Sequence, residues 1–141
     1  MTEVELRSYN HETDYAGLRT LLEEAGLFDS DYETPDRLEA ASHKFPGMIT
    51  VAVIGSAVVG SVYFQDGVIP TINRLAVRRE YQKQGIGTKL LETAESRARE
   101  LGHKYLELYV LPESENACTF YENRGYTLGH TYLNMYRQIE N

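Results

Sequence analysis

The chain is most informative at residues 75–91, which read Leu75-Ala76-Val77-Arg78-Arg79-Glu80-Tyr81-Gln82-Lys83-Gln84-Gly85-Ile86-Gly87-Thr88-Lys89-Leu90-Leu91. A β-rich run ends here, a polar segment follows, and two glycines open a long amphipathic stretch. The first N–H groups of a helix have no partners within the helix, and the helix dipole is positive there. Glycines at such a place let the oxygens of an anion approach the backbone closely. The segment therefore predicts a strand, an anion-binding loop and a helix.

Two other glycine-rich phosphate sites do not fit this spacing. A P-loop has a lysine followed by Ser or Thr at a fixed distance from its first glycine, whereas here Thr88 precedes Lys89. A dinucleotide-binding fingerprint has a third glycine at the position that Leu90 occupies. The loop thus predicts an anion site of a different class.

The hydrophobic periodicity along the chain predicts alternating groups of strands and helices. Predicted strands are 4–7, 48–54, 57–64, 71–77 and 105–110, with one or two closing strands in 126–139. Predicted helices run from Asp14 to Gly26, from Thr34-Pro35 to before Pro46, over 86–101 and over 114–124. This order predicts an α+β fold in which helices cover a mixed sheet. Since no repeat or linker interrupts it, we expect a single domain over 1–141.

Composition excludes several classes of function. The chain has 141 residues with a formal net charge of −7, which disfavours nucleic acid as a partner. A local basic stretch of Arg74, Arg78, Arg79, Lys83 and Lys89 instead suggests one anionic ligand. No apolar run is long enough for a membrane span, and Cys118 is the only cysteine, so we expect a cytoplasmic protein in a reducing compartment. The four histidines lack ligand spacing, so no metal is expected.

A second segment, Ala117-Cys118-Thr119-Phe120-Tyr121-Glu122-Asn123-Arg124-Gly125-Tyr126, completes a resemblance to the GNAT superfamily of N-acetyltransferases. It is similar to the family's A-x-x-F-Y-x-x-x-G-[F/Y] segment, and Gln82-x-x-Gly85-x-Gly87 is similar to its [R/Q]-x-x-G-x-[G/A] coenzyme A loop. The resemblance implies a mostly antiparallel mixed sheet between helices, in three α/β/α layers. It also implies transfer of an acetyl group from acetyl-CoA to a primary amine, directly within a ternary complex.

The resemblance also implies roles for individual residues. Leu75, Ala76 and Val77 would lie along the pantetheine arm of the coenzyme, with the Val77 N–H polarising the thioester carbonyl. The pyrophosphate would be held at the loop that comprises Gln82, Lys83, Gln84, Gly85, Ile86, Gly87 and Thr88. Tyr121 would be the general acid that protonates the leaving thiolate, which suits a phenol whose ordinary pKa lies near ~10.

The chain departs from the family pattern at two places. Ser114 stands where the family usually has Asn, so we expect a helix cap there and a coenzyme contact. No carboxylate or imidazole lies on the predicted strand 71–77, where a general base is often found, which leaves Glu107 and His130 as candidates.

The acceptor is predicted from charge alone. Asp29, Asp31 and Glu33 form an acidic segment that favours a cationic amine, such as a polyamine, a lysine side chain or an aminosugar. Two other functions stay open: a catalytically weak acyl-CoA sensor, and an interaction module without coenzyme binding. The Tyr-rich C-terminal residues suggest a possible homodimer edge.

Overall fold

A single sheet organises the first part of the chain in the computed structural model, which describes residues 3–139. Five strands lie in the order β1-β2-β3-β4-β5, with bounds β1 Glu5–Ser8, β2 Ile49–Ile54, β3 Ala57–Gln65, β4 Thr71–Val77 and β5 Glu107–Leu108. The first four pair antiparallel, and β5 pairs parallel to β4 over Thr71 and Ile72 only. The predicted mixed, mostly antiparallel sheet is confirmed.

The helices are α1 His11–Glu24, α2 Pro35–Lys44, α3 Ile86–Glu100 and α4 Glu115–Glu122. Local chemistry explains their starts. Asn10 caps α1 by accepting from the N–H groups of Glu12 and Thr13, and the Thr34 side chain caps α2 by accepting from the Arg37 N–H. Pro35 occupies the first turn of α2, where its missing N–H costs no helical bond.

Helices cover both faces of the sheet. Leu18, Leu21 and Leu22 of α1 and Leu38 of α2 share one core with strand residues such as Val51 and Val58. The buried side of α3, centred on Leu90, packs on the opposite face, where a Cβ on Gly60 would lie 2.9 Å from Leu90 Cδ1. Gly60 therefore lets α3 approach the sheet closely. The predicted α+β fold with three layers is confirmed in this part of the chain.

The chain divides into two compact units, one ending at Leu108 and the other beginning at Tyr109. The second unit contains α4, and the described residues on either side of it have no regular secondary structure. The closing strands predicted in 126–139 are wrong for this structure, because none of those residues joins a strand ladder. Leu133, Met135 and Tyr136 are exposed there, so no buried face fixes a strand register. The predicted strand 105–110 is likewise shortened to β5.

Candidate functional site

A bulge interrupts β4 immediately before the segment singled out above. Tyr63 of β3 pairs with Asn73, but Ser61 pairs with Ala76, so Val62 alone opposes both Arg74 and Leu75. Arg74 has φ 56°, a left-handed conformation that side chains other than glycine rarely adopt. Its carbonyl accepts a hydrogen bond from the buried Ser61 Oγ at 2.8 Å. Such bulges reverse which backbone groups face the neighbouring strand.

Beyond the bulge, alternate residues of β4 turn their peptide groups away from β3. The Arg78 N–H donates to the Val59 carbonyl at 2.8 Å, so Arg78 faces β3. By the alternation of an antiparallel ladder, the peptide groups of Val77 and Leu75 face the other edge. β5 covers that edge only at Thr71 and Ile72. Leu75 and Val77 thus present backbone groups at an edge that no strand of the first unit covers.

The Gln82 side chain forms a hydrogen bond within the protein. Its Nε2 donates to the Val77 carbonyl at 2.9 Å. This bond ties the start of the loop to the end of β4 and satisfies the Val77 carbonyl. The Val77 N–H has no acceptor among the residues that the structure describes. Gln82 therefore shapes the loop through its side chain, a role that the motif alone does not indicate.

The loop before α3 carries a run of unsatisfied amides. Within residues 3–139, the N–H groups of Lys83, Gln84, Gly85, Ile86 and Gly87 have no acceptor. Lys89 N–H makes the first helical bond, to the Gly85 carbonyl at 3.1 Å.

Backbone conformation places these amides at the N-terminus of α3. Lys83 has φ 64° and Gly85, the N-cap, has φ 85°. Nothing lies within 4 Å of a Cβ built on Gly85, so the space above it is open. Unsatisfied amides at a helix N-terminus, next to exposed Lys83 and Lys89, fit a bound phosphate. The structure thus brings the predicted residues from Gln82 to Thr88 together in one loop at the start of α3, and their binding of an anion stays a prediction.

The local basic stretch is not uniform. Arg78 pairs with Glu24 at 3.2 Å, and Arg74 pairs with Glu33 at the same distance. These two cations are neutralised by the protein itself, so the positive charge near the loop comes chiefly from the exposed Arg79, the two lysines and the helix dipole.

Tyr121 and Ser114 lie in the second unit, on α4 and at its start. The Tyr121 ring is half-buried and contacts the rings of Phe120 and Tyr126, with centroid distances of 5.2 and 5.5 Å. Burial raises the pKa of Tyr121 above its ordinary value, so the phenol keeps its proton at neutral pH. Ser114 occupies the N-cap of α4, but its side chain makes no capping hydrogen bond, contrary to the role expected of it.

Glu33 differs from the prediction. It is buried and not part of an exposed acidic surface, with a relative exposure of 3%. Tyr63 donates to it at 2.6 Å, and the Arg74 guanidinium binds both of its oxygens at 3.2 and 3.3 Å. Burial first, and then the bond to Glu33, raise the pKa of Tyr63, which stays a donor. Of the three carboxylates in the acidic segment, the one on Glu33 is therefore not available to contact the predicted amine substrate.

The candidate general bases are also located. Glu107 lies exposed on β5, opposite Thr71, and His130 lies exposed in the second unit beside Tyr132. Neither location identifies a base, and both assignments stay predictions. In the part of the chain that the structure describes, no group of three or more His, Cys, Asp or Glu side chains could hold a metal. None of the helices described there has the length and apolar character needed to cross a membrane.

The sequence model of the acetyltransferase (GNAT) family matches residues 15–126. The chain therefore belongs to this family of acyltransferase enzymes. Its match includes both the loop before α3 and the α4 segment, and it crosses the boundary between the two compact units.

Three known proteins illustrate the similarity. The chain is 41% identical over 56 residues to an uncharacterized N-acetyltransferase of the pepI 3′ region of Lactobacillus delbrueckii subsp. lactis, covering 40% of this chain and 32% of that protein. It is 38% identical over 72 residues to N-alpha-acetyltransferase 60 of Xenopus tropicalis, covering 49% and 30%. The chain thus spans about a third of the length of these relatives.

The third is the crystal structure of PaiA N-acetyltransferase from Thermoplasma acidophilum in complex with coenzyme A. It superposes with a TM-score of 0.79 at 21% identity, covering 92% of this chain and 93% of that one. This likeness confirms the fold.

Proposed function

We propose that this protein transfers an acetyl group from acetyl-CoA to a primary amine, directly and within a ternary complex. The observation that carries the proposal is the run of unsatisfied N–H groups from Lys83 to Gly87 at the start of α3, in a chain of the acetyltransferase family. The bound coenzyme in the Thermoplasma structure supports the same ligand for this loop. We also propose that the two units act as one acetyltransferase domain, because the family match crosses their boundary.

Each proposed role follows from a group's position. The amides of the loop hold the pyrophosphate of the coenzyme, and Gly85 leaves room for its oxygens. The Val77 N–H donates to the thioester carbonyl, where negative charge develops during attack by the amine. Tyr121 donates its proton to the sulfur as the carbon–sulfur bond breaks. Acetyl-CoA itself supplies the activated acetyl group, and the amine nitrogen that attacks it loses one proton to a base or to water.

The proposed acceptor is a primary amine on a small molecule or a peptide. The name of the Xenopus relative supports a peptide amine. Because Arg74 neutralises Glu33, the acidic segment attracts a cationic acceptor less strongly than three unpaired carboxylates would. Asp29 and Asp31 still carry negative charge in the same segment. A cytoplasmic location stays a prediction, supported by the single thiol of Cys118.

The first experiment is thiol release from acetyl-CoA in the presence of separate pools of amines: N-terminal peptides, lysine peptides, polyamines and aminosugars. We expect release that depends on one pool. Tyr121→Phe should lower kcat about 10²- to 10⁴-fold if the phenol is the general acid. Tyr105→Phe is the matched control, because Tyr105 lies outside both motifs and is 85% exposed.

The outcomes separate the functions that the sequence leaves open. If the protein binds coenzyme A but no amine pool causes thiol release, it is an acyl-CoA sensor and not a transferase. Absence of coenzyme A binding would favour an interaction module. Equal rates for Tyr121→Phe and wild type would remove Tyr121 from the mechanism and leave the transferase in place.

A further inference from the structure

A buried polar cluster, defined here as Glu33, Tyr63 and Arg74, lies beside the bulge in β4. The Glu33 carboxylate accepts from Tyr63 at 2.6 Å and from two nitrogens of Arg74 at 3.2 and 3.3 Å. The backbone N–H of Asp29 adds a fourth bond, at 2.8 Å. Donors from the protein itself therefore occupy both oxygens of this carboxylate. The cluster therefore needs a role other than general base.

The cluster acts on the backbone of one residue. Arg74 is held in its left-handed conformation from two directions, by Glu33 at the guanidinium and by Ser61 Oγ at the carbonyl. Among residues 3–139, Lys83 is the only other non-glycine residue with positive φ. Strained conformations of this kind persist only where surrounding contacts enforce them. Glu33 contributes to this by its ion pair with the Arg74 guanidinium.

The conformation of Arg74 decides which amides face the open edge. Asn73, before the bulge, and Ala76, after it, both pair with β3. In an uninterrupted strand, residues 73, 75 and 77 would share one orientation and Val77 would face β3. Because of the extra residue, Leu75 and Val77 face away from β3 instead. The bulge is thus required for the Val77 N–H to be available to a ligand.

We propose that Glu33 is a positioning residue of the transferase, acting through Arg74 to keep the Leu75 and Val77 amides turned toward the thioester. The proposal rests on the proposed function for the identity of the ligand. Glu33 precedes α2 and lies 41 positions before Arg74, so the cluster also ties the α1–α2 segment to the coenzyme edge of the sheet. The neutral Tyr63 hydroxyl helps to orient the Glu33 carboxylate by donating a hydrogen bond to it.

The test compares Glu33→Gln with a matched control. Gln keeps the shape but loses the charge that holds Arg74, so we expect at least a roughly tenfold weaker Kd for coenzyme A. Hydrogen exchange at the amides of residues 74–77 should also become faster. The kcat/KM for acetyl-CoA should fall together with affinity.

Asp14→Asn is the control because Asp14 is also a buried carboxylate with an arginine partner. Arg7 binds both of its oxygens at 2.7 and 2.9 Å, and the Asn10 N–H adds a bond at 2.7 Å. This pair links α1 to β1, at the edge of the sheet farthest from β5. We expect Asp14→Asn to lower stability while leaving coenzyme affinity and exchange at 74–77 unchanged. Effects of Glu33→Gln no larger than those of the control would overturn the proposal.

A rescue variant separates positioning from general loss of stability. Adding Arg74→Gly to Glu33→Gln removes the unpaired cation and places glycine where φ is 56°. Glycine adopts this conformation without strain, so the double variant should bind coenzyme A about threefold or more tightly than Glu33→Gln alone. Failure of this rescue would contradict the role of Arg74 conformation. If wild type binds no coenzyme A, the proposed function fails, and exchange at 74–77 in the same variants decides the positioning role by itself.

Discussion

Tyr121 is the single residue whose proposed role has a direct pH signature. Burial raises the pKa of its phenol above 10.0. A general acid works only while protonated, so acetyl transfer should be unaffected by this group at neutral pH and fall above pH 10 as the phenol ionises. Measured as kcat between pH 7 and 11, this alkaline decrease should be absent in Tyr121→Phe, which has no proton to lose.

The same profile of Tyr105→Phe is the control, since that variant keeps the proposed acid. It should retain the alkaline decrease of the wild type. An unchanged decrease in Tyr121→Phe would assign the ionisation to another group, or to loss of the fold at high pH. Circular dichroism at each pH distinguishes these two causes.

Glu33 shows where inference from single residues fails. In the sequence it stands near Asp29 and Asp31 and looks like one of three surface acids. Its partners, Tyr63 and Arg74, lie 30 and 41 positions away, and no local period connects them. Arg74 likewise looks like part of a basic stretch. Only the sheet register brings these groups together, so burial and pairing could not be predicted from neighbours along the chain.

At the scale of elements, α3 has a glycine at each end, and we expect only the glycine at its start to contribute to coenzyme binding. Gly85 begins the helix with φ 85°, and Gly102 follows it with φ 86°. Nothing lies within 4 Å of a Cβ at either position. Alanine should therefore cost each site about 1 kcal/mol of unfolding free energy, from backbone strain alone.

Only Gly85→Ala should weaken coenzyme A binding, because only its Cβ would enter the space over the unsatisfied amides. We expect a Kd at least about tenfold higher for this variant and no change for Gly102→Ala, by calorimetric titration. Urea unfolding of both variants checks that their stabilities match. Equal coenzyme affinities in the two variants would show that phosphate does not bind over Gly85.

The elements that could be predicted from the sequence combine a regular hydrophobic periodicity with glycine or proline residues at their ends. β4 has the predicted bounds 71–77, and α3 runs over 86–100 between the two glycines. The segment 126–139 has β-forming residues but no paired partner strand, and alternation alone does not supply one. The bulge in β4 was also hidden, because the left-handed residue there is arginine and not glycine. The loop before α3 could be predicted from its sequence motif. The open edge of β4 beside it could not, because it depends on the register between β3 and β4.

At the scale of the whole molecule, the proposal of one domain predicts how the chain unfolds. Although contacts divide it at Leu108, the family match spans residues 15–126. We expect a single transition in differential scanning calorimetry, with equal calorimetric and van't Hoff enthalpies. Coenzyme A at 100 times its Kd should stabilise the fold by about 2.7 kcal/mol and raise Tm on the order of 8 °C.

The shift in Tm should apply to the entire transition, because a ligand bound only to the folded state stabilises everything that unfolds with its site. Gly85→Ala is the control: its Tm should respond less to the same concentration of coenzyme A, whereas Gly102→Ala should respond like wild type. Two separate transitions, of which coenzyme A moves one, would contradict the single domain. They would show that the unit that ends at Leu108 binds coenzyme A by itself, and that Tyr121 belongs to an independently folding unit.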